Sequence, residues 1–295
     1  MALRALLLGL AAALSVSGGV GGAPAPAAAL ARAEPATRAA AVPARYHLSL
    51  GDSLARGVQP APDGRAVRTR QGYGPIVARS RGLALVELGC PGETAVTMSE
   101  SGGPCRYRSG SQLRAAEAFL RRHRGRVALV TVSIGANDVL RCGSVSGVDA
   151  ACAGGRATDA AARAGAIARR LRRVAGGARV VGITYSNPFL GLYLRGEEGR
   201  IRALASVPLA ASFNGGLRRA YAGAGARTAD VAGAFGSSEL VQVESGPGGA
   251  PVPVAVARLC RLSWACAPPP RGPDIHPNAA GYRVIAREVL RAAQR

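Results

Sequence analysis

The sequence predicts an α/β fold with a central parallel sheet of about five strands, covered by helices on both faces. Two observations predict it. Short apolar, β-branched runs alternate with longer stretches of helical periodicity. Residues able to do chemistry fall just after those runs, where parallel α/β sheets gather their sites.

Each element can be justified in order. "YHLSL" at 46–50 reads as the first strand, "LALVEL" at 83–88 as the second and "VALVTVSI" at 127–134 as the third. "RVVGITY" at 179–185 makes a fourth, and "RTADV" at 227–231 a weaker fifth. Helical patterns lie between them at about 112–123, 158–175 and 207–222, and a last helix runs from about 278 to the C-terminus. A Gly/Pro-rich stretch at about 233–272 is long for a connection and reads as an insert in a single domain spanning 45–295. Ahead of that domain, Arg4 is followed by "ALLLGLAAALSV" and then by small residues and prolines. This is the pattern of a signal peptide over about 1–28, followed by a disordered Ala/Pro-rich leader over 29–44.

Composition bounds the function. The 295 residues are 48% hydrophobic, enough for a sizeable core, but only 4% aromatic. Every one of the 38 basic residues is arginine, and the net charge is +21. The arginines are scattered, without interleaved aromatics or a binding motif, so nucleic acid is not an expected partner. A coding bias toward GC-rich codons explains the arginines, and loose association with an anionic cell-envelope surface stays open. A monomer is expected.

An exported chain makes the six cysteines readable. Their even number and local spacing point to sequential disulfides, Cys90–Cys105, Cys142–Cys152 and Cys260–Cys266, although six cysteines allow many other pairings. A metal site is disfavoured, because no pair has a two-residue gap and only three histidines exist. No phosphate loop or dinucleotide fingerprint appears, so neither metal nor cofactor is expected.

Serine hydrolysis needs a nucleophile, a base, donors for an oxyanion and a group that orients the base. Ser53 follows the first strand, at the start of a helical turn. His276, just before the last helix, is the natural base, because His47 lies inside a strand and His123 in the basic run "RRHRG". The Ser53 amide, the Gly89 amide and the Asn137 side chain can serve as oxyanion donors. Taken singly, Ser53 is a helix cap, Gly89 a loop glycine, Asn137 a turn residue and His276 part of a helix start. Their order, each at a strand end or beside the last helix, favours the joint reading.

These residues resemble the SGNH (GDSL) hydrolase superfamily. The first motif matches at Gly51-Asp52-Ser53-Leu54, the second at Gly89, the third at Gly135 to Asp138, and the last at His276. The resemblance implies a three-layer α/β/α, flavodoxin-like fold and ester hydrolysis. It also looks like the exported actinobacterial branch, which carries three local disulfides. One departure stands out. The family's last motif places an acid three residues before the histidine, but Pro273 occupies that position here and the acid is Asp274. Either Asp274 reaches the imidazole by a local shift, or a backbone carbonyl near Gly272 orients the ring. The Gly-x-Ser-x-Gly elbow of the larger α/β-hydrolases is not matched.

The expected function is therefore a secreted serine esterase or lipase that passes through an acyl-enzyme on Ser53. Two alternatives stand beside it: acyl transfer in the cell envelope with the same residues, and a non-catalytic exported binding module. Trp264, inside the Cys260–Cys266 pair, is expected to wall the acyl pocket, with the loop between Cys142 and Cys152 opposite.

Overall fold

The structure, a computed structural model, describes residues 45–144 and 147–294. The expected signal peptide and leader lie outside those residues. At its centre are five parallel strands: β1 (Tyr46–Gly51), β2 (Ala84–Glu87), β3 (Val127–Ser133), β4 (Arg179–Ile183) and β5 (Arg227–Ala229). Their spatial order is β2-β1-β3-β4-β5, and every neighbouring pair is parallel. This is the flavodoxin-like order, and its winding reverses between β1 and β3. The carboxyl ends of those two strands therefore flank the crevice that this topology opens.

Helices cover both faces. They are α1 (Tyr73–Ser80), α2 (Gln112–Arg122), α3 (Ala150–Val174), α4 (Gly196–Gly223), α5 (Val254–Leu262) and α6 (Ala279–Gln294). On one face Leu48, Leu50, Val130, Val132 and Val180 pack against Leu113 and Leu120 of α2, Ile167 and Leu171 of α3, and Phe213, Leu217 and Tyr221 of α4. On the other face Leu129, Val181, Ile183 and Ala229 meet Tyr73 and Val77 of α1 and Tyr282, Ile285 and Val289 of α6. The core is filled largely by alanine and aliphatic side chains, so backbones approach closely. Gly182 of β4 lies directly beneath the Tyr221 ring.

The helix starts are chemically marked. Ser111 accepts from the Arg114 N–H at 3.3 Å and Asp149 from the Cys152 N–H at 3.0 Å, each satisfying one of the donors a helix start leaves open. α2 and α3 are joined by a two-pronged pair in which Arg170 donates to both oxygens of Glu117, at 2.8 and 2.9 Å. Three disulfides form, in the sequential pairing Cys90–Cys105, Cys142–Cys152 and Cys260–Cys266.

Several elements depart from the sequence reading. α3 begins eight residues and α4 eleven residues earlier than the patterns at 158 and 207 indicate. Gly154 and Gly155 weaken the periodicity of α3, and Pro208 sits inside α4, where its missing N–H interrupts the hydrogen-bond ladder. α1 has no counterpart among the helices the sequence pattern indicates. The insert over 233–272 contains α5 and a ribbon pairing Val243–Ser245 with Pro251–Pro253. Among the described residues no helix is long and apolar enough to cross a membrane.

A Cβ at Gly182 would overlap the Tyr221 ring, which is fully buried and cannot swing out. Gly182→Ala is expected to destabilise the fold by about 1–3 kcal/mol through overpacking. A lower urea midpoint with an unchanged m-value would show it.

Candidate active site

At the carboxyl end of β1 the chain must turn sharply while still bonded to β3. Asp52 N–H donates to the Ser133 carbonyl at 3.0 Å. Gly51 adopts a φ of +125°, and any Cβ there would overlap that same carbonyl. The turn sends Asp52 inward, where it is 2% exposed, and leaves Ser53 half-buried beside a groove. Ser53 precedes a short 3-10 turn, Leu54–Arg56, but its side chain makes no capping bond. The plain explanation of this serine as a helix cap therefore does not hold.

His276 reaches the same groove. Its Nδ1 lies 2.8 Å from Asp274 Oδ1, and the same oxygen accepts the His276 backbone N–H at 2.8 Å. This local loop brings an acid two residues upstream onto the ring. Burial pushes the Asp274 carboxyl up, but hydrogen bonding to His276 and its charge outweigh burial and hold it below the usual carboxylate range. The other histidines have structural roles. His47 is fully buried with Nε2 2.9 Å from Thr131 Oγ1, and burial pushes it down to about 4. His123 ends α2 with Nδ1 3.0 Å from the Phe119 carbonyl.

Asn137 lies in the short helix Ala136–Leu140 after β3 and lines the groove. Its Nδ2 donates one hydrogen to the Glu93 carbonyl at 2.9 Å, which leaves the second for another acceptor. Gly89 is not part of the groove lining. It packs directly behind the serine turn, where a Cβ would lie 2.6 Å from Ala55 Cβ and 3.3 Å from the Asp52 carbonyl. Among the described residues the backbone N–H groups of Ser53 and Gly89 have no acceptor.

The sequence model of the GDSL-like Lipase/Acylhydrolase family matches residues 49–284. The chain belongs to this family. It is accordingly a carboxylic ester hydrolase. No curated protein sequence matches it. Solved structures share the fold. An extracellular lipase from Streptomyces rimosus superposes with a TM-score of 0.52 at 21% identity, over 85% of this chain and 100% of that one. An acetyl xylan esterase from Geobacillus stearothermophilus superposes with a TM-score of 0.50 at 16% identity, over 84% of this chain and 94% of that one.

In this GDSL-family hydrolase the groove beside Ser53 is mostly apolar, with Val139, Leu140, Ala153, Phe189, Leu209 and Phe213 on its walls. Trp264 is not among them. Its indole N–H donates to Gln59 Oε1 at 3.2 Å, and the Arg271 guanidinium covers its ring at 5.3 Å. Its backbone matters more: Asp274 N–H donates to the Trp264 carbonyl and Trp264 N–H to the His276 carbonyl, both at 3.0 Å. Leu140 and Ala153, flanking the Cys142–Cys152 loop, line the groove, while residues 145 and 146 of that loop lie outside the described residues. The walls contributed by α4 and by the 3-10 segment Pro188–Leu194 escaped the sequence reading, because apolar side chains in a helix carry no signal of function.

A buried network beneath Ser53 also escaped it. Asp52 Oδ2 accepts from the Tyr185 hydroxyl at 2.7 Å, and Oδ1 accepts from Leu54 N–H at 3.0 Å and Ser133 Oγ at 3.2 Å. Burial pushes the Asp52 carboxyl from 3.8 up to about 6, against these hydrogen bonds and the charge of His276. The unfolded chain therefore releases this proton at lower pH than the folded one. Stability contributed here falls as pH rises from about 4 to 6 and is level above that. The shift corresponds to about 3 kcal/mol. Asp52→Asn is thus expected to melt higher than the parent above pH 6 and to lose that advantage below pH 4. Thermal melts across that range check it, and an advantage independent of pH would refute it.

Proposed function

We propose that this hydrolase cleaves carboxylic esters through an acyl-enzyme on Ser53. The observation that carries the reading is the Asp274–His276 contact at 2.8 Å in a groove that also exposes the uncapped Ser53. With Nδ1 engaged by Asp274, Nε2 is the ring nitrogen left for the serine. His276 takes the Ser53 proton as Oγ attacks the ester carbonyl. The Ser53 and Gly89 amides and the second Asn137 hydrogen receive the oxyanion. His276 returns the proton to the departing alcohol, and water deacylates the serine by the same relay. The disulfides and the Arg4-led apolar run support export, since disulfides persist in oxidising compartments.

The walls of the groove suit an acyl chain, with Leu209, Ala210 and Phe213 presented from α4. A second groove shares Leu140, Phe189 and Ile275 with the first and continues to Leu192, Arg195 and Asp274. It offers room for the alcohol.

Ser53→Ala is expected to abolish turnover of a p-nitrophenyl acyl ester in purified protein, and persistence at the parent rate would overturn the mechanism. In the same assay Asp274→Asn should lower kcat by about 10⁴-fold, by analogy with the relay acid of a Ser-His-Asp triad. A loss of only a fewfold would assign ring orientation to a backbone carbonyl instead. Ala210→Phe would fill the acyl groove. It should cut kcat/KM on octanoyl esters by about tenfold or more while leaving acetyl esters nearly unchanged. Equal losses on both would remove the groove from acyl binding.

A further inference from the structure

We infer that Gln112 is a positioning residue for ester hydrolysis, registering the Asn137 amide against the Ser53 corner through Glu93. The inference rests on the mechanism proposed for Ser53 and Asn137.

β2 ends at Glu87, but the chain beyond it keeps one backbone bond to this corner, from Cys90 N–H to the Gly51 carbonyl at 2.8 Å. The Gly51 N–H is met by a side chain instead. Gln112, fully buried at the start of α2, supplies it. Its Oε1 accepts Gly51 N–H at 2.6 Å and its Nε2 donates to the Gly51 carbonyl at 3.0 Å. The second Nε2 hydrogen goes to Glu93 Oε2 at 2.9 Å. Glu93 is held from its other oxygen by the Thr97 hydroxyl at 2.5 Å, and its backbone carbonyl is the acceptor for Asn137 Nδ2 at 2.9 Å. Next to it, Ala95 N–H donates to Asp138 Oδ2 at 2.8 Å. Beside the direct backbone bonds among the loops after β1, β2 and β3, one side-chain amide therefore ties the Gly51 corner to the residue that holds Asn137.

The chemistry leaves little freedom at this position. The site needs one acceptor and two donors on a neutral group, which only a side-chain amide supplies. A carboxylate there would face Glu93 without a donor, and an apolar side chain would leave the buried Gly51 N–H without an acceptor. Gln112 and the Glu93 carboxylate are both buried, and their polar atoms are engaged by Gly51, by each other and by Thr97, so neither is placed to touch substrate. What they control is the relative placement of two oxyanion donors, and a displacement of about 1 Å at a reacting centre can cost about a hundredfold in rate.

The test compares steady-state kinetics of Gln112→Met and Glu93→Ala with the parent enzyme on a p-nitrophenyl ester, with Ser53→Ala as control. Glu93→Ala leaves the Gly51 bonds in place and carries the test if Gln112→Met does not fold. Each variant should lose about 10–100-fold in kcat with KM within about twofold. Combined with Asn137→Ala, each should add little further loss, because both changes remove the same donor placement. Retained kcat, parallel changes in kcat and KM, or losses that multiply with Asn137→Ala would overturn the inference. If Ser53→Ala is inactive while both variants match the parent, this inference alone fails. If Ser53→Ala stays active, the mechanism it rests on fails.

Discussion

The structure turns on the backbone of one residue, Gly51. It is still paired with β3, yet it must redirect the chain out of the sheet, at a φ of +125° with no room for a Cβ. That single constraint splits the next two side chains between opposite environments. Asp52 is driven into the interior and Ser53 is turned toward the groove. Asp52 then shapes the next turn of chain, because its Oδ1 takes the Leu54 N–H and so holds the 3-10 segment in place. Among the described residues the amide of Ser53 has no acceptor. A donor with no acceptor at a groove edge costs little, since water can reach it, and under the proposed mechanism it would meet the oxyanion.

The same corner imposes a cost. A carboxylate is buried with hydroxyl and amide donors around it, and none of those donors is an arginine. The protein is rich in arginine, at 38 residues, yet the groove beside Ser53 is lined by none. Apart from Arg195 in the adjoining groove, the excess positive charge is a property of the rest of the chain, and its reach to the site is weakened by salt. What acts locally is a set of dipoles: backbone N–H groups, one side-chain amide and hydroxyls fixed by packing. Such groups need no reorganisation when an oxyanion forms, which suits ester chemistry.

Much of this is legible in the sequence. The strands announce themselves as apolar, mostly β-branched runs, and Gly51, Ser53, Gly89, Asn137 and His276 follow strand ends or precede a helix. The parts that are not legible share a physical cause: they depend on packing between distant segments. α1 begins at Tyr73-Gly74-Pro75, which reads as a turn until Tyr73 is seen buried against the sheet. α5 follows Pro251 and Pro253 in a Gly/Pro-rich stretch, and its apolar face is explained by Leu190 and Val207, far away in sequence. Trp264 invites a role as a pocket wall because it is the sole tryptophan and lies near His276. Nothing local reveals that its indole turns to Gln59 instead. Tyr185, which meets Asp52 across 133 positions, has no motif at all.

The displaced acid shows why spacing along a chain is a poor ruler for geometry. An acid three residues before a histidine can reach the ring across one helical-like turn. At two residues the same contact requires the chain to fold back, and here it does so by giving one oxygen two donors, the His276 backbone N–H and its ring nitrogen. Such a loop is weak alone. It is held at both ends by the Trp264 backbone, which accepts from Asp274 N–H and donates to the His276 carbonyl. Trp264 in turn sits within the Cys260–Cys266 disulfide, and the adjoining Ser263 bridges to Pro277. The segment around Trp264 therefore braces this loop through its backbone. It fixes the backbone on which Asp274 and His276 meet, and that bracing is what makes the shorter spacing compatible with an oriented imidazole.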